Sequence, residues 1–309
     1  MTHHDDSGVW RVVVPNETGL VLYENLEDGI ARITLNRPSA GNAQNVAMIY
    51  ALNEAFMRAA RDKAVRCIIL CGAGRHFSTG HDLKDLAHDA VGRDYDLTST
   101  WGDVQTGDVE GWLGWEHETY LDMCRRWRSI PKPVIAQVQG ACIAGGLMLA
   151  WICDIIVAAE DALFQDPVVN IGVLGVEYFA HVWELGGRKA KELLFTSDSW
   201  DARQAREMGM VNHVVPAADL EMFVHDMARK IAAKPTLAIK LAKEAVNAAL
   251  DMQGLQKSID LAFAYHQLNH ADNRLRFGGL LNPNGIPETV LRKGGLSELV
   301  IGDGRAESA

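Results

Sequence analysis

An α/β architecture with a largely parallel sheet, followed by a helical region, is what the 309-residue chain predicts. Short β-type runs alternate with longer helical patterns through the first two thirds, the rhythm of a layered, right-handed fold. Two fully apolar runs, 67–71 (CIILC) and 133–138 (PVIAQV), each give way to glycine, as strands buried on both faces do. After about Gly187 the pattern becomes almost wholly helical, with Pro216 and Pro235 as punctuation.

Taken in order, residues 31–35 (ARITL) read as a strand closed by Asn36-Arg37-Pro38. Residues 46–60 have helical spacing, with Met48, Ile49, Leu52, Phe56 and Ala59 along one side. Strand 67–71 ends at Gly72-Ala73-Gly74. Residues 84–112, rich in Asp, Gly and Thr, read as a surface excursion longer than a normal connection. Its Trp101 and Trp112, with Trp115 just beyond, either line a pocket lid or are incidental loop aromatics. Strand 133–138 leads to Gly140, 145–153 is a short buried helix, and 155–159 (IIVAA) is the next strand. Helical patterns follow at 189–195, 202–208, 219–232, 236–250 and 255–270, with a strand at 212–215. Helices with apolar faces and little sheet to cover must pack elsewhere, so a neighbouring subunit is inferred. Residues 276–309, with many glycines and Pro283 and Pro287, are expected to form an extended tail.

Composition excludes several classes. Thirty basic and 40 acidic side chains give a net charge of −10, and 48% of residues are apolar, the profile of a globular protein. An acidic chain is poorly suited to neutralising nucleic-acid phosphates, so no nucleic-acid partner is expected. Cys67, Cys71, Cys124, Cys142 and Cys153 are odd in number and mostly set in apolar runs, which implies reduced thiols in a cytoplasmic protein. The polar start Met1-Thr2-His3-His4-Asp5-Asp6 is no secretory signal. The longest apolar stretch, between Gln139 and Asp154, is too short for a bilayer of about 30 Å, so no membrane partner is expected either.

Two glycine-containing turns after buried strands carry the chemical signal. The first is Arg75-His76-Phe77-Ser78-Thr79-Gly80-His81-Asp82-Leu83-Lys84; the second is Gln139-Gly140-Ala141-Cys142-Ile143-Ala144-Gly145-Gly146, which opens an apolar helix. Glycine permits close backbone approach, and a helix N-terminus offers unpaired N–H groups. Side by side, two such turns can aim two N–H donors at one oxygen, the requirement of an oxyanion hole. Alternatively, Gly145-Gly146 simply allows tight packing of helix on strand.

Here the chain resembles the crotonase (enoyl-CoA hydratase/isomerase) superfamily. Three ordered segments carry the likeness: HFSTGHDLKDL, then KPVIAQVQGACIAGGLMLAWICDIIVAAEDALFQDPVVNIGV, then LLFTSDSWDARQAREMGMVNHVVP. The likeness runs from about Gly19 to about Asp272. It implies a ClpP/crotonase-like spiral of ββα units and a C-terminal helical trimerisation region. On that basis residues 1–18 are an N-terminal extension, 19–200 the spiral core with the CoA site, 201–275 the oligomerisation region, and 276–309 the tail. A homotrimer or a dimer of trimers is implied.

The resemblance also implies an acyl-CoA thioester as ligand, with coenzyme A entering as part of the substrate and no separate cofactor. The main-chain N–H groups of His81 and Gly145, beside Gly146, would be the oxyanion donors. Ser39, Ala40 and Asn42 match the loop that contacts CoA, and Thr79, Asp82 and Leu83 the segment beside adenine and pantetheine. Arg37 and Lys84 are candidate cations for the anionic CoA, or ordinary solvated charges.

The acid–base positions depart from the family pattern. Hydratases of this family use two glutamates to activate water and exchange the α-proton. Those positions here are Met148 and Val168, neither of which can move a proton. Ordinary hydration is therefore doubtful, and a decarboxylase, a thioester hydrolase or a non-catalytic acyl-CoA binder stand as alternatives. Candidate replacement carboxylates are Glu177, one residue off a position where other members place an acidic group, and Asp166, two residues before Val168 on a strand-like backbone; Glu177 is otherwise a structural or salt-bridging carboxylate. His81 resembles the histidine of decarboxylase-type members, although their tyrosine position falls at Gly175; Tyr178 is not a clean substitute. No GxSxG elbow, phosphate loop or dinucleotide fingerprint occurs. Glu116-His117-Glu118 has the residue types of a metal cluster, but adjacent helical side chains diverge by about 100°, so no metal is expected.

Overall fold

The computed structural model describes residues 19–84, 94–98, 104 and 108–286, together with the main chain of two short strands at 2–4 and 10–12. Four strands, β1 (Thr2–His4), β2 (Trp10–Val12), β3 (Val21–Leu26) and β4 (Ile30–Leu35), run antiparallel. The sheet continues in parallel through β5 (Cys67–Gly72), β6 (Val134–Val138), β8 (Ile155–Ala159) and β11 (His213–Val215). A second sheet, in the order β10-β9-β7, joins β7 (Ala141–Ile143), β9 (Leu163–Gln165) and β10 (Trp200–Asp201). Every strand expected from the sequence is present, while β3 and the small sheet escaped sequence reading because their runs are short or mixed in polarity.

Alternation along the central strands divides the core in two. Ile33, Leu70, Ala136 and Ile156 stand in register across β4, β5, β6 and β8 and face the larger core. There they meet α1 (Val46–Arg61), whose Met48, Ile49, Leu52, Phe56 and Ala59 are all buried, as their spacing predicts. The Asn45 side chain caps this helix by accepting from Met48 N–H. Ile69, Ile135 and Val157 point the other way, onto Leu220, Val224, Ala228 and Ala232 of α8 (Leu220–Ala232). The i, i+4 spacing of those four residues makes one stripe, and burying Leu220 and Val224 contributes roughly 1.5–3 kcal/mol each. One of the late helices thus covers the sheet, contrary to the expectation that they lack sheet to pack on.

Two other expectations are corrected. The expected excursion over 84–112 is helical from Val109 onward, where α2 (Val109–Glu116), a π-helical turn (His117–Asp122) and α3 (Met123–Arg128) run end to end, while its residues 85–93, 99–103 and 105–107 lie outside the described part. Trp112 and Trp115 are therefore fixed on a helix, whereas Trp101 lies outside the described residues. The beginning of the expected tail folds back: Leu280, Leu281 and Ile286 join the core, and residues 287–309 lie outside the described part. The remaining helices are α4 (Gly145–Trp151), α5 (His181–Leu185), α6 (Gly187–Thr196), α7 (Ala202–Glu207), α9 (Thr236–Met252) and α10 (Leu255–Phe277). Among the described residues no helix is long and apolar enough to cross a membrane.

Candidate active site

The two glycine turns meet. Phe77 N–H donates to Gln139 O (2.9 Å), Ser78 N–H to Ala141 O (3.1 Å) and Ile143 N–H to Ser78 O (3.0 Å), lacing the first turn to β7. Gly80 has φ 92°, and a Cβ there would sit 2.8 Å from Ile143 O and 2.9 Å from Gly145 N, so glycine is required. A Cβ on Gly145 would fall 2.6 Å from Cδ2 of His81, which places the imidazole directly against the start of α4. Ala144, just before it, adopts φ 49° and ψ −116°, a strained conformation for a residue with a Cβ. Its N–H donates to Gln165 O at 2.9 Å, which helps hold the strained peptide. Among the described residues no hydrogen bond uses the main-chain N–H of His81 or of Gly145.

The loop at 37–44 is stitched to the first turn. Thr79 N–H donates to Gly41 O (3.0 Å), Gln44 N–H to Gly80 O (2.8 Å) and Asp82 N–H to Gln44 O (2.9 Å). Ser39 and Ala40 are exposed on this loop, as is Lys84 on the turn. Asn42 is buried, with Nδ2 donating to Ala73 O and His76 O and Oδ1 accepting from Arg37 N–H, so its side chain clamps loops together. Arg37 pairs with Asp82 at 2.8 Å and donates to Ala43 O. Its charge is thus largely matched within the loop pair, leaving Lys84 as the exposed cation of the two expected.

A cavity of about 190 Å³ opens beside these turns. Thr79, His81 and Leu83 line it, together with apolar residues that include Trp112, Trp115, Tyr120, Val168, Leu280 and Leu281. Glu177 lines it, only 4% exposed, with Oε1 3.6 Å from His81 Nδ1 and 3.7 Å from His266 Nε2. Glu177 Oε2 and His81 Nε2 are buried without a hydrogen-bond partner. The His81 ring stacks on Tyr120 with centroids 3.8 Å apart, which fixes the plane of the imidazole. Burial, reinforced by Glu177, Glu116 and Asp82, pushes the Tyr120 phenol well above its ordinary range. Tyr120 is therefore neutral.

The other candidates separate. Val168 is in the cavity wall, whereas Met148 is buried in the core and Gly146 packs against Ser78, where a Cβ would come within 2.4 Å of its carbonyl oxygen. Asp166 does not share the face of Val168: a short 3-10 turn begins after Pro167 (Val168–Ile171), ending the strand alternation. The Asp166 carboxylate accepts from Val176 N–H (3.1 Å) and Val168 N–H (3.3 Å) and faces His181 Nε2 at 2.8 Å. It braces the segment that carries Glu177. Tyr178 is buried away from the cavity.

Three cavity residues were not singled out from sequence as a group: Glu116, His266 and His270. Their side-chain donor atoms lie within 4.8 Å of one another. His117 and Glu118 do diverge from Glu116, as helix geometry demands: His117 meets Asp122, and Glu118 accepts from Tyr50 and Thr98. Glu116, however, joins histidines from α10, and their i, i+4 spacing was the sequence signal that they share a face. Burial opposes charge on both sides of this cluster, yet His270 and His266 hold Glu116 well below the usual carboxylate range. In the same way, burial would depress His266, but Glu116 beside it prevails and raises it to about 9.

Comparison with known proteins identifies the family. The family model described as enoyl-CoA hydratase/isomerase matches residues 25–109 and 114–280. A Mycobacterium tuberculosis protein named as an enoyl-CoA hydratase, EchA13, is 45% identical over 262 residues, covering 83% of this chain and 82% of its own. The crystal structure of a Mycobacterium smegmatis protein described as an enoyl-CoA hydratase superposes with a TM-score of 0.75 at 43% identity, covering 84% of this chain and 98% of its own. An enoyl-CoA hydratase/isomerase from Xanthobacter autotrophicus Py2 does so with a TM-score of 0.74 at 33% identity, over 90% of this chain and 94% of its own. Sequence, fold and the matched extent agree: this chain belongs to the crotonase, or enoyl-CoA hydratase/isomerase, family.

Proposed function

We propose that the protein acts on an acyl-CoA thioester, forming its enolate, with Glu177 moving the α-proton. The observation that carries this reading is the Glu177 carboxylate, buried in the cavity with Oε2 unbonded, beside two glycine turns in which the main-chain N–H groups of His81 and Gly145 are also unengaged. In this scheme the thioester oxygen accepts from the N–H groups of His81 and Gly145. As Glu177 Oε2 takes the α-proton, the C–H electron pair delocalises onto that oxygen. Such donors strengthen as the charge forms, each contributing on the order of 3 kcal/mol. Glu177 then returns the proton to the carbon skeleton.

One carboxylate suffices for α-proton exchange and double-bond migration. Addition of water needs a second proton-handling group, and Met148 and Val168 cannot supply it. Coenzyme A, carried by the substrate, would lie along Ser39, Ala40, Thr79 and Leu83, with Lys84 offsetting phosphate charge. No separate cofactor enters this proton-transfer step. The exposed Leu237, Leu241, Leu268 and Leu275 on α9 and α10 support assembly into trimers, or pairs of trimers. The five free thiols, four of them buried, support a cytoplasmic setting.

The test is a panel of enoyl-, malonyl- and saturated acyl-CoA thioesters assayed in deuterated water. α-Deuterium incorporation or double-bond migration is expected, with Glu177→Gln reducing it by about 10²–10⁴-fold while leaving binding intact. Efficient crotonyl-CoA hydration would overturn the reading of Met148 and Val168. Binding without exchange or any product would identify a non-catalytic acyl-CoA binder.

A further inference from the structure

The cavity lining holds three groups whose ligating atoms converge: Glu116, His266 and His270. His266 Nδ1 lies 2.9 Å from Gly175 O and His270 Nδ1 lies 2.9 Å from Leu280 O. A carbonyl oxygen only accepts, so both Nδ1 atoms carry the hydrogen. In the neutral rings both Nε2 atoms are then bare lone pairs. They face each other at 2.9 Å, with His270 Nε2 3.0 Å and His266 Nε2 3.5 Å from the oxygens of Glu116.

With both rings neutral, three buried acceptors face one another with no donor among them and need a cation, either a proton on one ring or a metal ion. A proton on one Nε2 points at one partner at a time, whereas a metal ion meets all three ligand atoms at once. Metal–ligand bonds of about 2.1 Å meeting at about 90–110° place the ligand atoms ~3.0–3.4 Å apart, close to the observed spacing. The Nδ1–H bonds to main-chain carbonyls are the supporting contacts that metal-bound imidazoles use. Gln267 adds its own, donating Nε2–H to Glu116 Oε2. A second sign of a ligand here is Glu177, whose Oε1 is 3.7 Å from His266 Nε2 and whose buried Oε2 has no partner.

We propose that Glu116, His266 and His270 bind a divalent transition-metal ion of the zinc class, with Glu177 alongside. The mixed nitrogen and oxygen donors suit such an ion better than calcium or magnesium. All three ligands line the cavity, so the ion's remaining positions face whatever occupies it. It would there hold a water, or an oxygen of the acyl group, near Glu177.

The experiment uses the full chain, stripped with a chelator, reloaded with Zn²⁺ or Co²⁺, dialysed and assayed for metal by mass spectrometry. About one equivalent per chain is expected, with Co²⁺ giving visible ligand-field bands. Glu116→Gln and His270→Gln should each weaken Zn²⁺ binding by about 100-fold, with folding checked by circular dichroism. Less than about a tenth of an equivalent on the wild-type chain, with Zn²⁺, Co²⁺, Mn²⁺ and Fe²⁺ alike, overturns the proposal whatever the variants do. Equal retention by wild type and folded variants overturns it too, because the metal would then sit elsewhere.

Discussion

His81 Nδ1 stands 3.6 Å from Glu177 Oε1, across the gap between a turn that follows β5 and a loop braced by α10. Nothing in sequence distance foretells that meeting, and it depends on two supports. Tyr120 holds the ring plane of His81, while the absence of a side chain on Gly145 leaves room for its edge.

Gly145→Ala tests the second support. Gly145 has no left-handed φ, so alanine suits the helix, but its Cβ would meet His81 Cδ2 at 2.6 Å and Nε2 at 2.7 Å. The expected outcome is a folded protein with a displaced imidazole and exchange activity reduced by about 10²-fold. Adding His81→Ala to Gly145→Ala should relieve the clash and restore the melting temperature. A crystal structure of the single variant with His81 unmoved would contradict this.

Asp166→Ala should damage stability more than chemistry at the cavity itself. The change leaves Val176 N–H, Val168 N–H and the buried His181 without their acceptor. A loss of about 3 kcal/mol in urea unfolding is expected. Because Val176 adjoins Glu177, kcat should also fall, with KM for the thioester little changed. Wild-type stability in the variant would show that the carboxylate does not brace this loop.

The pH dependence of stability contains a contribution from Glu184. Burial raises its carboxyl from 4.5 to about 7, against a smaller opposing effect of Arg128. A raised carboxyl binds its proton more tightly folded than unfolded, so its stabilising effect is full below pH 4.5 and is lost as pH rises through about 7. Glu184→Gln should therefore gain stability relative to wild type across that interval. Allowing for partial exposure, the gain at pH 8 is about 1–2 kcal/mol. Parallel unfolding curves at all pH values would remove Glu184 as the source.

Charge placed on the outer helices should break assembly. Leu241 is 58% exposed and Leu268 65%, each on a helix with other exposed apolar residues. Light scattering should give a wild-type mass near three or six times 33.9 kDa, and Leu241→Glu with Leu268→Glu should lower it. A monomeric wild type would show that these faces serve something other than self-association.

The sequence by itself determined the parallel β-strands, the inward face of α1 and the glycine turns around His81 and Gly145, because periodicity and backbone freedom are local properties. It also showed that Met148 and Val168 cannot carry protons, which is a matter of side-chain chemistry alone. The family likeness extended this to a candidate carboxylate, Glu177, although Asp166, offered on strand alternation, failed where the chain coiled after Pro167. Only the tertiary structure decided which polar groups converge. Glu116 and the pair His266 and His270 are about 150 residues apart, and each looks ordinary on its own helix. Packing of α10 against α2 brings them together, and burial there makes their charges and tautomers depend on one another.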